Sequence, residues 1–503
     1  MMPLRFPTCV NLLDELARHG ERPVIEWREG AEWRKHSAAE AAHAIVGIAQ
    51  GLVGAGIRPR DRVAILRGSG PDYPLQVLGV IASGAIAVLL DPGLSAGELA
   101  VQLRDVRPRM ILCSPALRPH ASAAATGLEL AIVTDLATPT ANDPRELPRQ
   151  DANAPCLIAF TSGSSGVPKG VLLPWGRIAF QIEQVGALLH RPGLAFLSVL
   201  PPHHLLELMV GILMPLSRGE RVIFANTLLP HEILRILAER DASYLITVPP
   251  LLELLAARLG QWQPGPAFTG FVCGGAAAPE RLLRRCAEHG VSVYQGYGLT
   301  EAGPVVATNY PRADKPGSVG RPIPGIEVRI GADGAIGARC PFAHGYWREG
   351  VELPGSPMSE WIETGDLGEL DAEGFLHIRG RAKQIIVLAS GKKVHPEEVE
   401  TALAGNPHIE DVCVLGMPSR FEGSDEVVAV VWPAATLRTE HPQPAAREAA
   451  LARALEPLRP LLAAWKWPAR FIVAAAPLPR SSQQKLRRDL IRDLYCGSMP
   501  CPS

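Results

Sequence analysis

The strongest constraint on the fold is a repeated alternation of helix-like and strand-like patterns along the first half of the chain. The Ala-rich amphipathic stretch Ala39–Gly54 precedes the short apolar run Arg62–Leu66, and the alternation continues as far as Leu112. It resumes between residues 195 and 259. Strands that alternate with crossover helices pair in parallel, because each helix returns the chain to the same edge of the sheet. The pattern therefore predicts two α/β regions built on parallel sheets.

The second half of the chain follows a different pattern. From about Pro316 short strands and turns predict a small β-barrel, and after Arg381 further strand patterns predict an α+β region. A chain of 503 residues is also too long for one ordinary hydrophobic core. We expect an α/β protein with a large N-terminal domain, residues 1–381, made of two α/β subdomains and the small barrel. A smaller α+β C-terminal domain is expected over residues 382–503.

Charge and cysteine usage exclude several classes of protein. Lys and Arg number 50 against 51 Asp and Glu, so no overall basic field favours nucleic acid. The 9 cysteines contain no C-x-x-C pair, which argues against a disulfide framework and a zinc site. The N-terminus lacks a signal-peptide pattern, and the apolar stretches are too short to cross a bilayer. We expect a cytoplasmic protein with no membrane span and no nucleic-acid partner.

A Gly- and Ser-rich loop between two strand-like runs is the most informative segment. In LIAFTSGSSGVPKGVLL, residues 157–173, glycines let backbone N–H groups turn inward, and hydroxyls and a lysine add further donors. The order of residues differs from a Walker A loop, because Lys169 is followed by Gly and a second strand. The predicted phosphate-binding residues are Thr161, Ser162, Gly163, Ser164, Ser165, Gly166 and Lys169.

This loop resembles the signature loop of the adenylate-forming superfamily, which includes acyl-CoA synthetases, peptide-synthetase adenylation domains and firefly-type luciferases. YQGYGLTEAG, residues 294–303, resembles the family's Y-G-x-T-E motif. The resemblance implies that Tyr297 packs on adenine, while Thr300 and Glu301 contact the phosphates and Glu301 holds Mg²⁺. The GGAA run resembles the strand end where adenine and the acyl carbonyl meet. It contributes Gly274, Gly275 and Ala276.

Three later motifs follow in the family's order. The resemblance assigns Asp366 of WIETGDL and Arg381 of GRAKQ to the ribose hydroxyls, and Lys383 to a hinge about which the C-terminal domain rotates. Gly391, in LASGKKVHP, falls on the loop that lines the family's thiol tunnel. LPRSSQQKLRRDL resembles the segment of the catalytic lysine and aligns Lys485 with it, with Gln484 in place of the usual glycine.

The segment LPPHHLLEL bears on the acyl substrate. It resembles the L-P-x-x-H segment of fatty-acyl and aryl ligases, with His204 on the family histidine, although His204 is equally consistent with a core histidine. Peptide-synthetase domains carry an Asp here that pairs with an α-amino group, and no Asp occurs between Leu200 and Leu216. An α-amino acid is therefore disfavoured. Glu207 either pairs with an amine or is exposed.

The motifs together predict an ATP-dependent, Mg²⁺-requiring ligase that converts a fatty or aryl carboxylic acid to an acyl-adenylate. The acyl group is then passed to a thiol, with coenzyme A favoured as the acceptor. Two alternatives remain at this point. In the first, the enzyme forms the acyl-adenylate but serves an acyl carrier protein or makes a product without coenzyme A. In the second, the chain is a non-catalytic nucleotide-binding member of the fold.

Overall fold

The computed structural model describes residues 3–136, 146–161, 169–189, 191–354, 360–381, 384, 386–388, 393–418, 425–481 and 485–496. The chain divides into two compact units. The first comprises Met1–Val328 and Gly337–Ile362, and the second comprises Arg329–Ile336 and Glu363–Ser503. The predicted domain boundary between residues 381 and 382 is a hinge for domain rotation rather than a limit of compact packing. That boundary stays a prediction.

Helices of the first unit flank its sheets and include several that the periodicity predicts to within a residue or two. They are α1 (Cys9–Arg18), α2 (Ala38–Gly54), α3 (Asp72–Ala82), α4 (Ala96–Val106), α5 (Arg118–Ala124), α6 (Trp175–Leu189), α7 (Met214–Leu216), α8 (Pro230–Glu239), α9 (Pro249–Ala256) and α10 (Glu280–Glu288). Helix α4 begins at a capping box, in which the Ser95 hydroxyl accepts from the Glu98 N–H and the Glu98 carboxylate accepts from the Ser95 N–H.

A nine-stranded and an eight-stranded sheet form the framework of the first unit. Fifteen of their seventeen strands come first in the chain. They are β1 (Pro23–Glu29), β2 (Glu32–Ser37), β3 (Arg62–Leu66), β4 (Ile86–Leu89), β5 (Met110–Cys113), β6 (Ala131–Val133), β7 (Pro155–Thr161), β8 (Lys169–Pro174), β9 (Ala195–Ser198), β10 (Arg221–Phe224), β11 (Tyr244–Thr247), β12 (Gly270–Cys273), β13 (Val293–Tyr297), β14 (Ala307–Thr308) and β15 (Arg321–Pro322). Their central pairs, β3 with β4 and β11 with β12, are parallel. The two predicted α/β regions are confirmed.

The remaining strands belong to the second half of the chain. They are β16 (Glu327–Ile330), β17 (Ala335–Arg339), β18 (Gly345–Arg348), β19 (Val351–Pro354), β20 (Ile362–Leu370), β21 (Leu376–Arg381), β22 (Ile386–Val387), β23 (Lys393–Val394), β24 (Ile409–Pro418), β25 (Asp425–Pro433) and β26 (Arg470–Val473). The orders are β15-β14-β13-β12-β11-β9-β10-β1-β2, β19-β18-β8-β7-β4-β3-β5-β6, β16-β17-β20-β21, β22-β23 and β24-β25-β26. Closure of β16-β17-β20-β21 into the expected barrel stays a prediction.

The second unit contains an α+β region, as predicted. Its helices are α11 (Pro396–Ala404), α12 (Ala435–Glu440), α13 (Pro444–Leu455) and α14 (Arg488–Cys496). Alternate residues of β24 and β25 face two small apolar cores, one containing Val412 and Val414 and the other Cys413 and Leu415. The sequence predicts a loop followed by a helix after Trp432. The structure instead places the short helix α12 there, anchored by the buried Leu437.

A π-helix, Glu207–Leu213, lies within residues 195–259, where the alternating pattern predicts ordinary α-helices. The Met214 N–H donates to the carbonyl of Met209, five residues earlier, rather than four. Pro215 has no N–H to continue the α-helical pattern, so the preceding turn widens. All the side chains of this π-helix are buried, including the carboxyl group of Glu207.

The cysteines whose burial the structure describes contribute to the core rather than to the surface. None of the seven whose burial is described forms a disulfide bond, and burial raises the pKa of each of their thiols. They are Cys9, Cys113, Cys156, Cys273, Cys286, Cys340 and Cys413. No helix in the described part of the chain is long and apolar enough to span a membrane.

Helix α6 carries two polar side chains into the core of the first unit. The guanidinium of Arg177, which is 1% exposed, donates to the carbonyls of Pro341 at 2.7 Å and Glu301 at 2.8 Å, and to that of Phe342. One turn later, Gln181 donates to the carbonyls of Ala302 and Val305 at 2.9 and 2.8 Å. Both side chains therefore fix the backbone of the segment that contains Glu301.

We predict that Arg177→Met lowers the free energy of unfolding by about 3 kcal/mol or more, because it leaves buried carbonyls without their charged donor. Urea denaturation monitored by circular dichroism measures this change. The matched control is Arg284→Met, since Arg284 is exposed and its ion pair with Glu280 spans 3.9 Å. The control should differ from wild type by less than about 0.5 kcal/mol. Equal stability of the two variants would contradict the structural role of Arg177.

Candidate active site

Strands β7 and β8 bring the two ends of the predicted phosphate loop together. They pair antiparallel, with Thr161 directly opposite Lys169. Thr161 is partly buried, whereas the side chain of Lys169 is exposed. Hydroxyl and ammonium donors therefore stand side by side at the mouth of the loop, where they fit phosphate oxygens. The other predicted loop residues, Ser162, Gly163, Ser164, Ser165 and Gly166, lie outside the described residues.

The Y-G-x-T-E motif runs from the end of β13 into a 3₁₀ turn, Thr300–Ala302. The chain folds back so closely that a Cβ on Gly298 would lie 1.7 Å from the carbonyl oxygen of Pro304, so only glycine fits this position. Tyr297, Thr300 and Glu301 are each partly exposed. Arg177 holds the backbone carbonyl of Glu301, so the backbone from which the Glu301 carboxylate extends is fixed. The residue itself is partly open to solvent. That arrangement fits a carboxylate ligand of Mg²⁺.

Tyr346 is a site residue that sequence reasoning missed. It lies on β18, which pairs with β8 at Val171, and its hydroxyl donates a hydrogen bond to the carboxylate of Glu301. Burial, together with the negative charge of Glu301, raises the pKa of Tyr346 to about 12, so the hydroxyl stays a donor. No sequence spacing links the two residues. Only the aromatic hydroxyl beside Gly345 could have drawn attention to it.

The GGAA run and the predicted acyl segment meet in the first unit. Gly274 follows the last residue of β12, and a Cβ placed on it would lie 2.8 Å from Cδ2 of Leu206. A larger residue at position 274 would therefore displace the Leu206 side chain. The structure thus places the predicted adenine edge, Gly274, Gly275 and Ala276, beside the segment LPPHHLLEL. The assignment of these residues to adenine and the acyl carbonyl stays a prediction.

His204 begins the turn that leads into the π-helix. Its N–H donates to the carbonyl of Pro201 at 3.1 Å, and its carbonyl accepts from Leu208 at 3.0 Å. The ring of His204 contacts that of His203 edge to face, with centroids 4.2 Å apart. His204 is partly buried, so its side chain is neither a surface group nor fully enclosed in the core. Its predicted catalytic role stays a prediction.

The structure decides between the two interpretations of Glu207. Its side chain is completely buried, so the expectation of an exposed carboxylate is wrong. The hydroxyl of Ser198 on β9 lies near it, yet neither group makes a hydrogen bond to a described residue. Burial raises the pKa of Glu207 to about 8, and the nearby Ser198 hydroxyl only partly offsets this shift. At neutral pH the group is therefore mostly a neutral carboxylic acid, which is a weak partner for an ammonium ion.

Three residues that the motifs identify separately come together in the second unit. Asp366 on β20 lies directly opposite Arg381 on β21, and Arg381 Nε contacts Asp366 Oδ1 at 3.0 Å. The Lys485 side chain retains solvent access, yet desolvation by its surroundings and the positive charge of Arg381 lower the pKa of its ammonium group. Asp366 opposes this shift. A carboxylate, a guanidinium and an ammonium group thus share one electrostatic environment.

Arg381 and Asp366 have the donor and acceptor types that bind adjacent ribose hydroxyls. The Thr364 hydroxyl accepts from the Asp366 N–H at 3.1 Å and donates to the Ile336 carbonyl at 2.8 Å, which holds the turn before Asp366 in place. The predicted hinge residue Lys383 and the predicted thiol-tunnel residue Gly391 lie outside the described residues. In the part of the chain that the structure describes, no cluster of acidic, histidine and cysteine side chains forms a ready metal site. A Mg²⁺ ion at Glu301 would therefore need phosphate oxygens to complete its coordination.

Comparison with known proteins identifies the family. The sequence profile of the family described as AMP-binding enzyme matches residues 12–343. The chain belongs to this family, which confirms the predicted membership of the adenylate-forming superfamily.

Several characterised proteins resemble this chain over most of its length. A feruloyl-CoA synthase from Amycolatopsis sp. is 30% identical, over 76% of this chain and 80% of its own. An indoleacetate–CoA ligase from Aromatoleum aromaticum is 29% identical, over 92% of this chain and 93% of its own. The structure of o-succinylbenzoate CoA synthetase from Bacillus subtilis, in complex with its acyl-adenylate intermediate, has a TM-score of 0.80. It shares 25% identity and covers 96% of this chain and 98% of its own. The predicted α/β fold class is confirmed.

The raised pKa of Glu207 makes stability depend on pH. Between about pH 4.5 and about pH 8 the folded protein holds a proton that the unfolded chain has released, so the free energy of unfolding falls as pH rises. One proton limits the slope to about 1.4 kcal/mol per pH unit. We predict that Glu207→Gln removes this slope, so that its stability advantage over wild type grows from pH 5 to pH 8. Urea denaturation at several pH values measures it.

Glu280→Gln is the matched control, because its carboxylate is 76% exposed and forms only a long ion pair with Arg284. The pH dependence of this control should parallel that of wild type. A Glu207→Gln profile that also parallels wild type would show that Glu207 is ionised in the folded protein.

Proposed function

We propose that this protein is an AMP-forming acid–thiol ligase that activates a fatty or aryl carboxylic acid with ATP and transfers the acyl group to coenzyme A. A cytoplasmic location belongs to the same proposal. The observation that carries the proposal is the grouping of Asp366, Arg381 and Lys485 in the second unit. The charges of the predicted ribose pair act on the ammonium group of Lys485, as expected where all three groups serve one nucleotide. Membership of the AMP-binding enzyme family supports the same conclusion.

The first half-reaction joins the acid to the nucleotide. A carboxylate oxygen of the acid attacks the α-phosphorus of ATP, and pyrophosphate leaves with the electrons of the broken P–O bond. Thr161, Lys169 and Thr300 donate to phosphate oxygens, and Lys485 stabilises charge that develops on the α-phosphate. Glu301, oriented by Tyr346 and by the Arg177 contact to its backbone, would hold Mg²⁺. When bound, that ion neutralises phosphoryl charge.

The second half-reaction transfers the acyl group to the thiol of coenzyme A, and AMP leaves. The family resemblance assigns this step to a second orientation of residues 382–503, reached by rotation about Lys383, with Gly391 lining the thiol path. A carrier protein carries the same phosphopantetheine thiol and is the alternative acceptor. The curated relatives act with coenzyme A, as their names state, which favours coenzyme A here.

The acyl site favours an acid without an ammonium group. No Asp occurs between Leu200 and Leu216, and the one acid in that stretch, Glu207, is buried with a pKa raised to about 8. A neutral carboxyl group does not compensate the cost of burying an ammonium ion. The feruloyl, indoleacetate and 2-succinylbenzoate ligases that resemble this chain are named for aromatic acids. Within the proposed class, an aryl acid is therefore favoured over a long-chain fatty acid.

The central test is pyrophosphate release from MgATP with a panel of aryl, fatty and α-amino acids, with and without coenzyme A. We expect release with aryl acids and thioester formation only when coenzyme A is present, whereas α-amino acids should be at least about tenfold less effective. Acyl-AMP formation without thioester would indicate a carrier protein or a thiol-independent product. Release with α-amino acids alone would overturn the proposed substrate class. Absence of release with every acid would overturn the enzymatic function.

Lys485 separates the two half-reactions. We predict that Lys485→Ala slows acyl-AMP formation at least about 10²-fold, because the positive charge at the α-phosphate is lost. The same variant should still convert supplied acyl-AMP and coenzyme A to thioester at close to the wild-type rate. Single-turnover assays of each step measure both rates. Lys466→Ala is the control, since Lys466 lies in the same unit but pairs with Glu398. Equal loss of both half-reactions in Lys485→Ala would contradict the assignment.

A further inference from the structure

A cavity of about 230 Å³ in the first unit contains polar groups that the motif analysis does not use. It lies where the carboxyl ends of β3, β4 and β9 continue into loops. Arg67, Ser69, Asp91, Pro92, Pro201 and His203 line it, with Gly68, Val199 and Pro202. Its volume is below the roughly 300 Å³ at which pockets for drug-sized ligands begin. The cavity is therefore suited to a slender chain rather than to a nucleotide.

Asp91 and His203 form a carboxylate–imidazole pair in this cavity. His203 Nε2 lies 3.5 Å from Asp91 Oδ2, and the two side chains are only 8% and 14% exposed. The other carboxylate oxygen, Oδ1, accepts from the Gly93 N–H at 2.8 Å, which fixes the direction of Oδ2. Although burial opposes ionisation, the interaction with His203 and the Gly93 N–H lower the pKa of Asp91 to about 2. Asp91 is therefore a permanent anion that orients the ring.

Neither ring nitrogen of His203 makes a hydrogen bond to a described residue, and the buried hydroxyl of Ser69 in the same cavity also lacks one. Most buried polar side-chain atoms in proteins have a hydrogen-bond partner, so these atoms are available to a group that enters the cavity. The edge-to-face contact with His204 and the 3.5 Å approach to Asp91 place the ring, and Nδ1 makes no hydrogen bond to a described residue. Other described ionisable groups around the pair are His204 against the His203 ring, Arg67 in the cavity wall and Tyr73 near Asp91.

We propose that His203, positioned by Asp91, is the general base that removes the proton of the acceptor thiol during thioester formation. This inference rests on the proposed function, because it requires an acyl-AMP and a thiol. His203 directly precedes His204. Leu206 of the same segment lies against Gly274, where adenine and the acyl carbonyl are predicted to meet. A slender thiol-bearing arm in the cavity would thus reach the imidazole close to the segment that faces the acyl group.

The chemistry balances without a further reactant. An unprotonated ring nitrogen of His203 accepts the proton from the S–H group, and the sulfur uses the released electron pair to attack the acyl carbonyl carbon. The C–S bond forms, the bond between that carbon and the AMP oxygen breaks, and AMP leaves as the phosphate anion. Asp91 stabilises the imidazolium cation that results, as a carboxylate does in a catalytic triad. The imidazolium then releases its proton to solvent.

The test uses the full-length enzyme, purified acyl-AMP of an acid that the enzyme activates, and coenzyme A in single-turnover mode. We expect His203→Gln and His203→Ala to slow thioester formation about 10²-fold, and by at least about tenfold more than acyl-AMP formation. The plot of log rate against pH should lose the acidic limb that reports protonation of the ring. Added imidazole should restore part of the rate in His203→Ala, an effect that a purely structural histidine would not show.

Asp91→Asn provides a second line of evidence, because it keeps the shape of the side chain but removes its charge. We expect a smaller loss in the thiol step, with the acidic limb of the pH profile displaced. His231→Asn is the control: His231 is 61% exposed and lies on α8, away from the cavity. Suppose that wild type completes both half-reactions and that both His203 variants form thioester within about threefold of the wild-type rate. This result would overturn the role of His203 and leave the proposed function intact. Wild-type failure to form acyl-AMP would overturn the proposed function instead.

Discussion

One buried guanidinium group, that of Arg177, fixes the backbone that carries the predicted Mg²⁺ ligand of the first unit. Arg177 cannot lose its charge inside the protein, so each of its donors must find an acceptor, and the acceptors it finds are backbone carbonyls. Those carbonyls belong to the turn that contains Glu301 and to residues 341–342. Gln181 holds the next residues of the same turn. The carboxylate of Glu301 and the hydroxyl of Tyr346 can therefore meet only while α6 stays packed in the core.

Much of the fold could be predicted from the sequence because its signals are local. Helix α4 lies in the first region of predicted alternation, and the signals that form it, a capping box and an apolar period, are local. The order of strands was not predictable. Strand β1 pairs in parallel with β10, nearly two hundred residues later, and its charged partner β2 gives no apolar pattern. The π-helix was also missed, because its cause is the missing N–H of Pro215 rather than a change in periodicity.

Part of the candidate site could likewise be predicted from the sequence, and part of it could not. The resemblance to the family's motifs singles out Asp366 and Arg381, and the structure pairs them because they are cross-strand neighbours on β20 and β21. The contacts of Tyr346 with Glu301 and of His203 with Asp91 join residues that are far apart in the chain and belong to no shared motif. Such pairs depend on how β18 and the β4 loop pack. Sequence reasoning has no signal for that packing without the structure.

The burial of the cysteines has a consequence for side reactions. An acyl-adenylate is a mixed anhydride, and any accessible thiolate would take its acyl group. Each of the seven cysteines whose environment is described has its thiol in the core, with a pKa raised by burial, so these sulfur atoms are both shielded and protonated at neutral pH. These residues are therefore protected from self-acylation. Thiol-directed reagents should accordingly leave these seven residues unmodified while the protein is folded.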